Sequence, residues 1–260
     1  MNYDVVVGVG CSFMNGDRIV DKDGKCVGLD LVSTKLLAEK LNCDYVHLAG
    51  SGFSNERIIR NIYEWVENNN ETGHYEKPFV LIGLTDLARY QFKSKLNNMW
   101  YDLQPAQIDT YDDDSLKIYN ERKVTGGIDT HQNLRKWITY YLKWFFDTEV
   151  EEKKLQRNII MLHHYLKGNN CDYRIINSLQ DNLNNIKSKI NYVSFIDNEY
   201  KGNDVWRDYL MWQVKNIDGE DYNDVRNRSP ITPYGKRFCK GHPSPNANKE
   251  LFKRIYESLK

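Results

Sequence analysis

The chain has no surplus charge of either sign: 36 basic residues face 36 acidic ones, and the formal net charge over 260 residues is zero. That balance gives the whole molecule nothing with which to hold a polyanion or an anionic bilayer, which argues against general nucleic-acid or membrane binding. Proline is scarce, at six residues, and there is no Gly/Ser tract, internal repeat or low-complexity block to mark a linker. The five cysteines (Cys11, Cys26, Cys43, Cys171, Cys239) are odd in number and form no CxxC pair. Disulfide frameworks and zinc knuckles need paired spacings, so this set points to a reducing compartment and to no metal. No apolar run approaches the length of about 18 residues that a membrane-spanning helix requires. The first apolar stretch, Val5 to Val9, follows no basic segment and is too short for a signal peptide. The expectation is a cytoplasmic protein; a virion component released by lysis has the same profile.

What is present is globular. Hydrophobic residues make up 40% and charged residues 28%, a mixture able to build a core. The run from Tyr3 to Val9 reads as a buried parallel strand that ends at Gly10-Cys11-Ser12. Leu29 to Leu41 has helical apolar spacing, and Asp44 to Leu48 reads as a second strand. Ser54 is placed to cap a helix carrying Ile58, Ile59, Ile62, Trp65 and Val66 on one face. Pro78 to Gly83 is a third strand. Three strand–loop–helix units without a hairpin signal predict a parallel sheet covered by helices.

Farther on, the pattern changes. From about residue 90 to 130 periodicity fades, and Asp109, Asp112, Asp113 and Asp114 crowd together. This is an irregular insertion, read as a solvated excursion or as a substrate-contacting lid. A helix from His131 to Lys167, broken near Thr148, carries Leu155, Ile159, Leu162 and Leu166, with Gly168 at its C′ position. His163 and His164 are adjacent on it, point about 100° apart and cannot share a metal as an i, i+4 pair can. Asp172 to Ile176 is a fourth strand and Ile190 to Ile196 a shorter fifth. Lys201 to Arg237 shows no clear period, and an amphipathic helix closes the chain from Pro245 to Leu259. The fold expected is an α/β/α sandwich of three layers around a mostly parallel, five-stranded sheet, as one domain over residues 1–260.

Ligands of open parallel sheets bind at the carboxyl ends of the strands. The loops there read Gly10-Cys11-Ser12-Phe13-Met14-Asn15-Gly16, Ala49-Gly50-Ser51-Gly52-Phe53-Ser54-Asn55 and Gly83-Leu84-Thr85-Asp86. Gly241-His242-Pro243-Ser244 stands just before the last helix. A hydroxyl nucleophile needs a base within reach and donors for an oxyanion. A serine at a strand-to-helix turn supplies its own N–H, a glycine in the next loop a second donor, and a polar side chain a third. No nucleotide-binding glycine signature follows a strand: Gly8-Val9-Gly10 has Phe13 where a third glycine belongs.

That ordered set of blocks resembles the SGNH hydrolase superfamily, the GDSL-type esterases and lipases, some of which are encoded by tailed phages. About 25 residues carry the resemblance, in block order over the whole chain. It implies Ser12 as nucleophile, His242 as general base, and an oxyanion hole formed by the N–H groups of Ser12 and Gly52 with Thr85, Gly50 being the other candidate glycine. It also implies no cofactor. Cys11 replaces the family's Asp before the nucleophile, and Thr85 stands where the family has Asn. Cys239 occupies the position three residues before His242 where the family carries the acid of its triad. Asp218, Asp221 and Asp224 are alternative acids; a Ser12–His242 dyad oriented by a backbone carbonyl is another arrangement.

Two functions follow from the resemblance. One is a serine ester hydrolase that cleaves a small acyl ester, such as an O-acetyl group on a carbohydrate, through an acyl–Ser12 intermediate. The other is an SGNH fold kept as a binding or structural protein, for instance in a phage particle. Assembly into a homo-oligomer or a particle is left open by the sequence. Lys236, Arg237 and Lys240 place local positive charge near His242 in the chain, which would favour an anionic substrate.

Overall fold

Valine in succession disfavours helix, because β-branched side chains lose rotamers there and fit a pleated surface instead. In the computed structural model, which describes residues 2–17, 19, 28–93, 95, 98, 100–103, 119–120, 139–221, 238–239 and 241–260, the first valine run becomes β1 (Val5–Gly10), buried throughout. It leads into α1 (Ser12–Asn15) and α2 (Ser33–Leu41), then β2 (Asp44–His47) and α3 (Asn55–Thr72). Next come β3 (Pro78–Leu84) and an antiparallel excursion of β4 (Tyr90–Lys93), β5 (Trp100–Leu103) and β6 (Tyr119–Asn120). Helix α4 (Thr148–Gly168) precedes β7 (Asp172–Asn177), and α5 (Trp206–Asn216) precedes the ribbon β8 (Phe238–Cys239) and β9 (His242–Pro243). Helix α6 (Pro245–Glu257) follows.

The central sheet is parallel, in the order β2–β1–β3–β7. Counted within the sheet this is 2-1-3-4, the flavodoxin-like order. Alternation along the strands divides the core in two. Val6, Phe79, Leu81 and Ile176 pack with residues of α2, α5 and α6. Val5, Val7, Val9, Val80, Ile82 and Tyr173 pack with residues of α3 and α4 on the opposite face. The architecture is therefore an α/β/α sandwich of three layers. Among the described residues no helix is long and apolar enough to cross a membrane.

Among the described residues the sheet has four strands where five were expected. Residues 190–196 meet it through one parallel bridge, Ile175 to Tyr192, with Ile175 N donating to Asn191 O and Val193 N to Ile175 O, each at 2.9 Å. The next amide in that ladder, Phe195 N, donates instead to buried Asp204 Oδ1 at 2.6 Å, and the pairing stops. The insertion is likewise more regular than its sequence suggests. Tyr90, Phe92, Trp100 and Tyr101 are strand-prone residues, and β4 pairs with β5 from Tyr90–Leu103 to Lys93–Trp100. Asp109, Asp112, Asp113 and Asp114 lie outside the described residues.

The stretch without a visible period contains α5, whose buried face is Trp206, Tyr209, Leu210, Gln213 and Val214. A polar glutamine and two large aromatics in that face obscure an otherwise helical spacing. The break near Thr148 is where Asp147 caps α4, its side chain accepting from Val150 N at 3.0 Å. Gly168 is the last helical residue rather than the C′ residue, and Asn170 takes the left-handed conformation at φ 56°.

Candidate active site

A doubly wound sheet opens a crevice where the strand order reverses, which here is between β1 and β3. Gly10 and Gly83 face each other across that point. A Cβ on Gly10 would lie 2.4 Å from Met14 Cγ and 3.0 Å from Gly83 O; one on Gly83 would lie 2.3 Å from Met14 Cγ. Two bare backbones therefore let Met14, and α1 with it, settle onto the strand ends. Ser12 is the first residue of that helix, after Cys11 in extended conformation. Gly10→Ala is expected to push α1 outward, costing about 1–3 kcal/mol, the usual range for overpacking. Urea unfolding measures this, and an unchanged midpoint would contradict the seating role.

The second loop is fixed at both ends. Gly50 N donates to Gly10 O at 3.0 Å, so the loop leaves β2 alongside the end of β1. Gly52 is buried in the left-handed conformation at φ 79°, which favours glycine. Ser54 caps α3 as expected, accepting from Arg57 N at 3.3 Å. The loop is then joined to the third one through Asn55. Its Oδ1 accepts from Thr85 N at 2.9 Å and its Nδ2 donates to Thr85 O at 3.2 Å, a carbonyl that also accepts from Asn182 Nδ2. Thr85 lies two residues past Gly83, as Ser12 lies two past Gly10. Its hydroxyl is buried and has no hydrogen-bond partner among the described residues.

His242 arrives from the far end of the chain. The turn through Gly241, at φ 79°, closes the β8–β9 ladder, in which Cys239 is the cross-strand partner of His242. Pro243 ends the ladder, and Ser244 caps α6 by accepting from Ala247 N at 3.3 Å. Helix α6 is tied to α2, since Ser33 N donates to buried Asn248 Oδ1 at 3.2 Å. The result is that β9 packs on α1, with the half-buried His242 ring 5.7 Å from the ring of Phe13, the residue after Ser12. Phe13 in turn meets buried Trp206 edge-on at 6.1 Å. The structure therefore brings the helix that begins at Ser12 together with the strand that carries His242, and brings the Gly52 loop together with the Thr85 loop. Asp218 and Asp221 follow the end of α5; Asp224, Lys236, Arg237 and Lys240 lie outside the described residues.

Beside α1 runs a chain of polar side chains that the motif order does not reveal. Thr34 Oγ1 lies 3.1 Å from Tyr45 OH, which lies 2.6 Å from His47 Nδ1. His47 Nε2 lies 2.8 Å from Asn15 Oδ1, and Asn15 Nδ2 donates to Asp17 Oδ1 at 2.5 Å. Ser51 Oγ donates to the other Asp17 oxygen. One assignment of protons satisfies every member. Tyr45, its phenol pushed up to about 12 by burial, donates to Nδ1, and neutral His47 donates from Nε2 to Asn15. No sequence signal marks this set, because its members come from α1, α2, β2 and two loops.

Burial lowers the pKa of His47 below its ordinary value of 6.5, against the weaker opposing pull of Asp17. The unfolded chain thus binds a proton at this site more readily than the folded one. Its contribution to stability is complete above the ordinary imidazole range and is lost as pH falls through that range. His163, also lowered by burial and hydrogen-bonded to Tyr173, adds a slope of the same sign. His47→Gln is expected to flatten the fall in stability between about pH 7 and pH 5 relative to the parent protein. Urea midpoints across that range measure it, and parallel curves would refute it.

No protein-family model matches the chain, and no curated protein matches it. Solved structures that resemble it include the psychrotrophic esterase EstA from Pseudoalteromonas sp., 11% identical, covering 98% of this chain and 96% of that one, TM-score 0.38. Another is a G-D-S-L family protein from Desulfitobacterium hafniense DCB-2, 10% identical, with 98% and 99% covered and a TM-score of 0.40. A third is the acetyl xylan esterase Est2A from the rumen bacterium Butyrivibrio proteoclasticus, 14% identical, TM-score 0.41. There the alignment covers all of this chain but 65% of the other.

Proposed function

We propose that the protein is a serine ester hydrolase of the SGNH type, acting on a small acyl ester through an acyl–Ser12 intermediate. The observation that supports this reading is the packing of the His242 ring against Phe13, the residue after Ser12, across some 230 positions of the chain. Ser12 Oγ attacks the ester carbonyl while His242 takes its proton. The N–H groups of Ser12 and Gly52 receive the developing oxyanion, and the Thr85 hydroxyl is the third donor. Collapse of the tetrahedral intermediate expels the alcohol, which recovers the proton from His242. Water, activated by the same imidazole, then hydrolyses the acyl-enzyme and restores Ser12. An O-acetylated carbohydrate is the substrate class proposed, in keeping with the polar, aromatic composition of the insertion.

Labelling with a fluorophosphonate tests this directly. The probe is expected to add its mass to the peptide containing Ser12 in the intact protein. A folded protein that never labels would overturn the assignment. That outcome would favour the second reading, a binding or structural protein on the same fold, which rests on Cys239 occupying the position of the family's triad acid.

A further inference from the structure

The hydrolase reading explains Ser12, Gly52, Thr85 and His242 but leaves the Asn15–Asp17–Ser51 contacts without a role. Each end of that contact set adjoins a proposed catalytic element. Asn15 is the last residue of α1, which begins with Ser12. Ser51 immediately precedes Gly52, the proposed oxyanion glycine, which is in the left-handed conformation. Between them stands the Asp17 carboxylate, accepting from Asn15 Nδ2 with one oxygen and from Ser51 Oγ with the other. We infer that Asp17 is a positioning residue of the proposed active site, clamping the nucleophile helix to the loop that supplies the oxyanion glycine. This rests on the hydrolase reading.

The physical case is one of geometry. An oxyanion donor works only if its hydrogen lies where negative charge develops, and removing one such donor costs on the order of a hundredfold or more in rate. Gly52 has no side chain with which to hold its own orientation, so neighbouring contacts must do so. On one side the Gly50 N to Gly10 O bond fixes where the loop starts, and on the other Ser54 begins α3. Only the Ser51–Asp17 bond, among those of the described residues in this loop, refers it to α1. His47 supports the far side of the clamp by engaging Asn15 Oδ1, which leaves the Asn15 amide nitrogen to face Asp17. Both Asp17 oxygens accept a hydrogen bond within the clamp.

The clamp predicts a pattern that a general loss of stability would not produce. Asp17→Ala and Ser51→Ala are each expected to lower kcat on p-nitrophenyl acetate by about ten- to a hundredfold, part of the effect of losing one donor outright, with KM within about twofold. The double variant is expected to be no slower than the slower single one, because both remove the same contact. Asp17→Asn is expected to recover most of the loss: its oxygen accepts from Asn15 and its amide donates to Ser51 Oγ. Additive losses, a change in KM alone, or wild-type kcat in Asp17→Ala would overturn the inference. If Asp17→Ala fails to fold, Ser51→Ala carries the same test. Amide hydrogen exchange at Gly52 separates this inference from the hydrolase reading. It is expected to quicken in Ser51→Ala whether or not the parent protein labels with fluorophosphonate, and unchanged protection there would sink the clamp.

Discussion

Ser12→Ala is expected to reduce p-nitrophenyl acetate turnover to the level of buffer, a loss on the order of 10³-fold or more if an acyl–Ser12 intermediate carries the reaction. Alanine keeps the α1 backbone and its N–H, so the proposed oxyanion donors are retained while the proposed attacking oxygen is removed. His242→Ala is expected to lose a comparable factor, because a serine hydroxyl without a base is a weak nucleophile at neutral pH. The two losses should not add, since the residues act as a unit. Thermal unfolding of both variants should stay near that of the parent protein. Wild-type turnover in Ser12→Ala would remove Ser12 from the mechanism.

Asp102→Ala is expected to destabilise the protein by about 3–5 kcal/mol, the cost of removing one partner from a buried ion pair. Asp102 has no exposed surface, although it comes from β5 in the insertion. One of its oxygens accepts from Ser54 N at 3.2 Å and Ser54 Oγ at 3.1 Å, and the other from Arg57 Nη1 at 2.6 Å. Arg57 is itself buried and lies with its guanidinium 3.9 Å from the centroid of the Phe53 ring. Burial raises the pKa of Asp102, with Arg57 and the Ser54 donors pulling against it. Truncation removes the carboxylate that faces Arg57 Nη1 and accepts from both Ser54 donors, whereas replacing both charges, as in Asp102→Leu with Arg57→Met, should recover part of the loss. Urea midpoints at constant m distinguish these outcomes. A loss below about 1 kcal/mol, the level of a surface pair, would mean that the insertion is held by other contacts.

The same ion pair shows what was illegible along the chain. Asp102 is an aspartate in a segment that lacks periodicity, and its partners lie 45 and 48 positions earlier. Local sequence carries no trace of such a pairing, because nothing in propensity or spacing distinguishes a buried acid from a solvated one. The missing fifth strand has a similar cause: residues 190–196 alternate well enough, but a side chain from residue 204 takes the amide that the ladder needed. Helix α5 was hidden for another reason, since Gln213 sits in its buried face and breaks the apolar count.

By contrast, several elements that depend on short-range periodicity and cap chemistry were legible from the residues alone. The first three strands, the Ser54 cap and the α/β layering follow from apolar repeats and from a side chain that satisfies a backbone donor one turn away. The sequence by itself determined that a parallel sheet would present Ser12, Gly52 and Thr85 in loops at its carboxyl edge, because parallel strands joined by helices all end on the same side. Only the tertiary structure decided that His242 would rest on α1, that Asn55 would join the second and third loops, and that Asp17 would join Asn15 to Ser51. Those contacts span from a few to some 230 residues, and which of them forms depends on how the layers pack, a quantity that no local window contains.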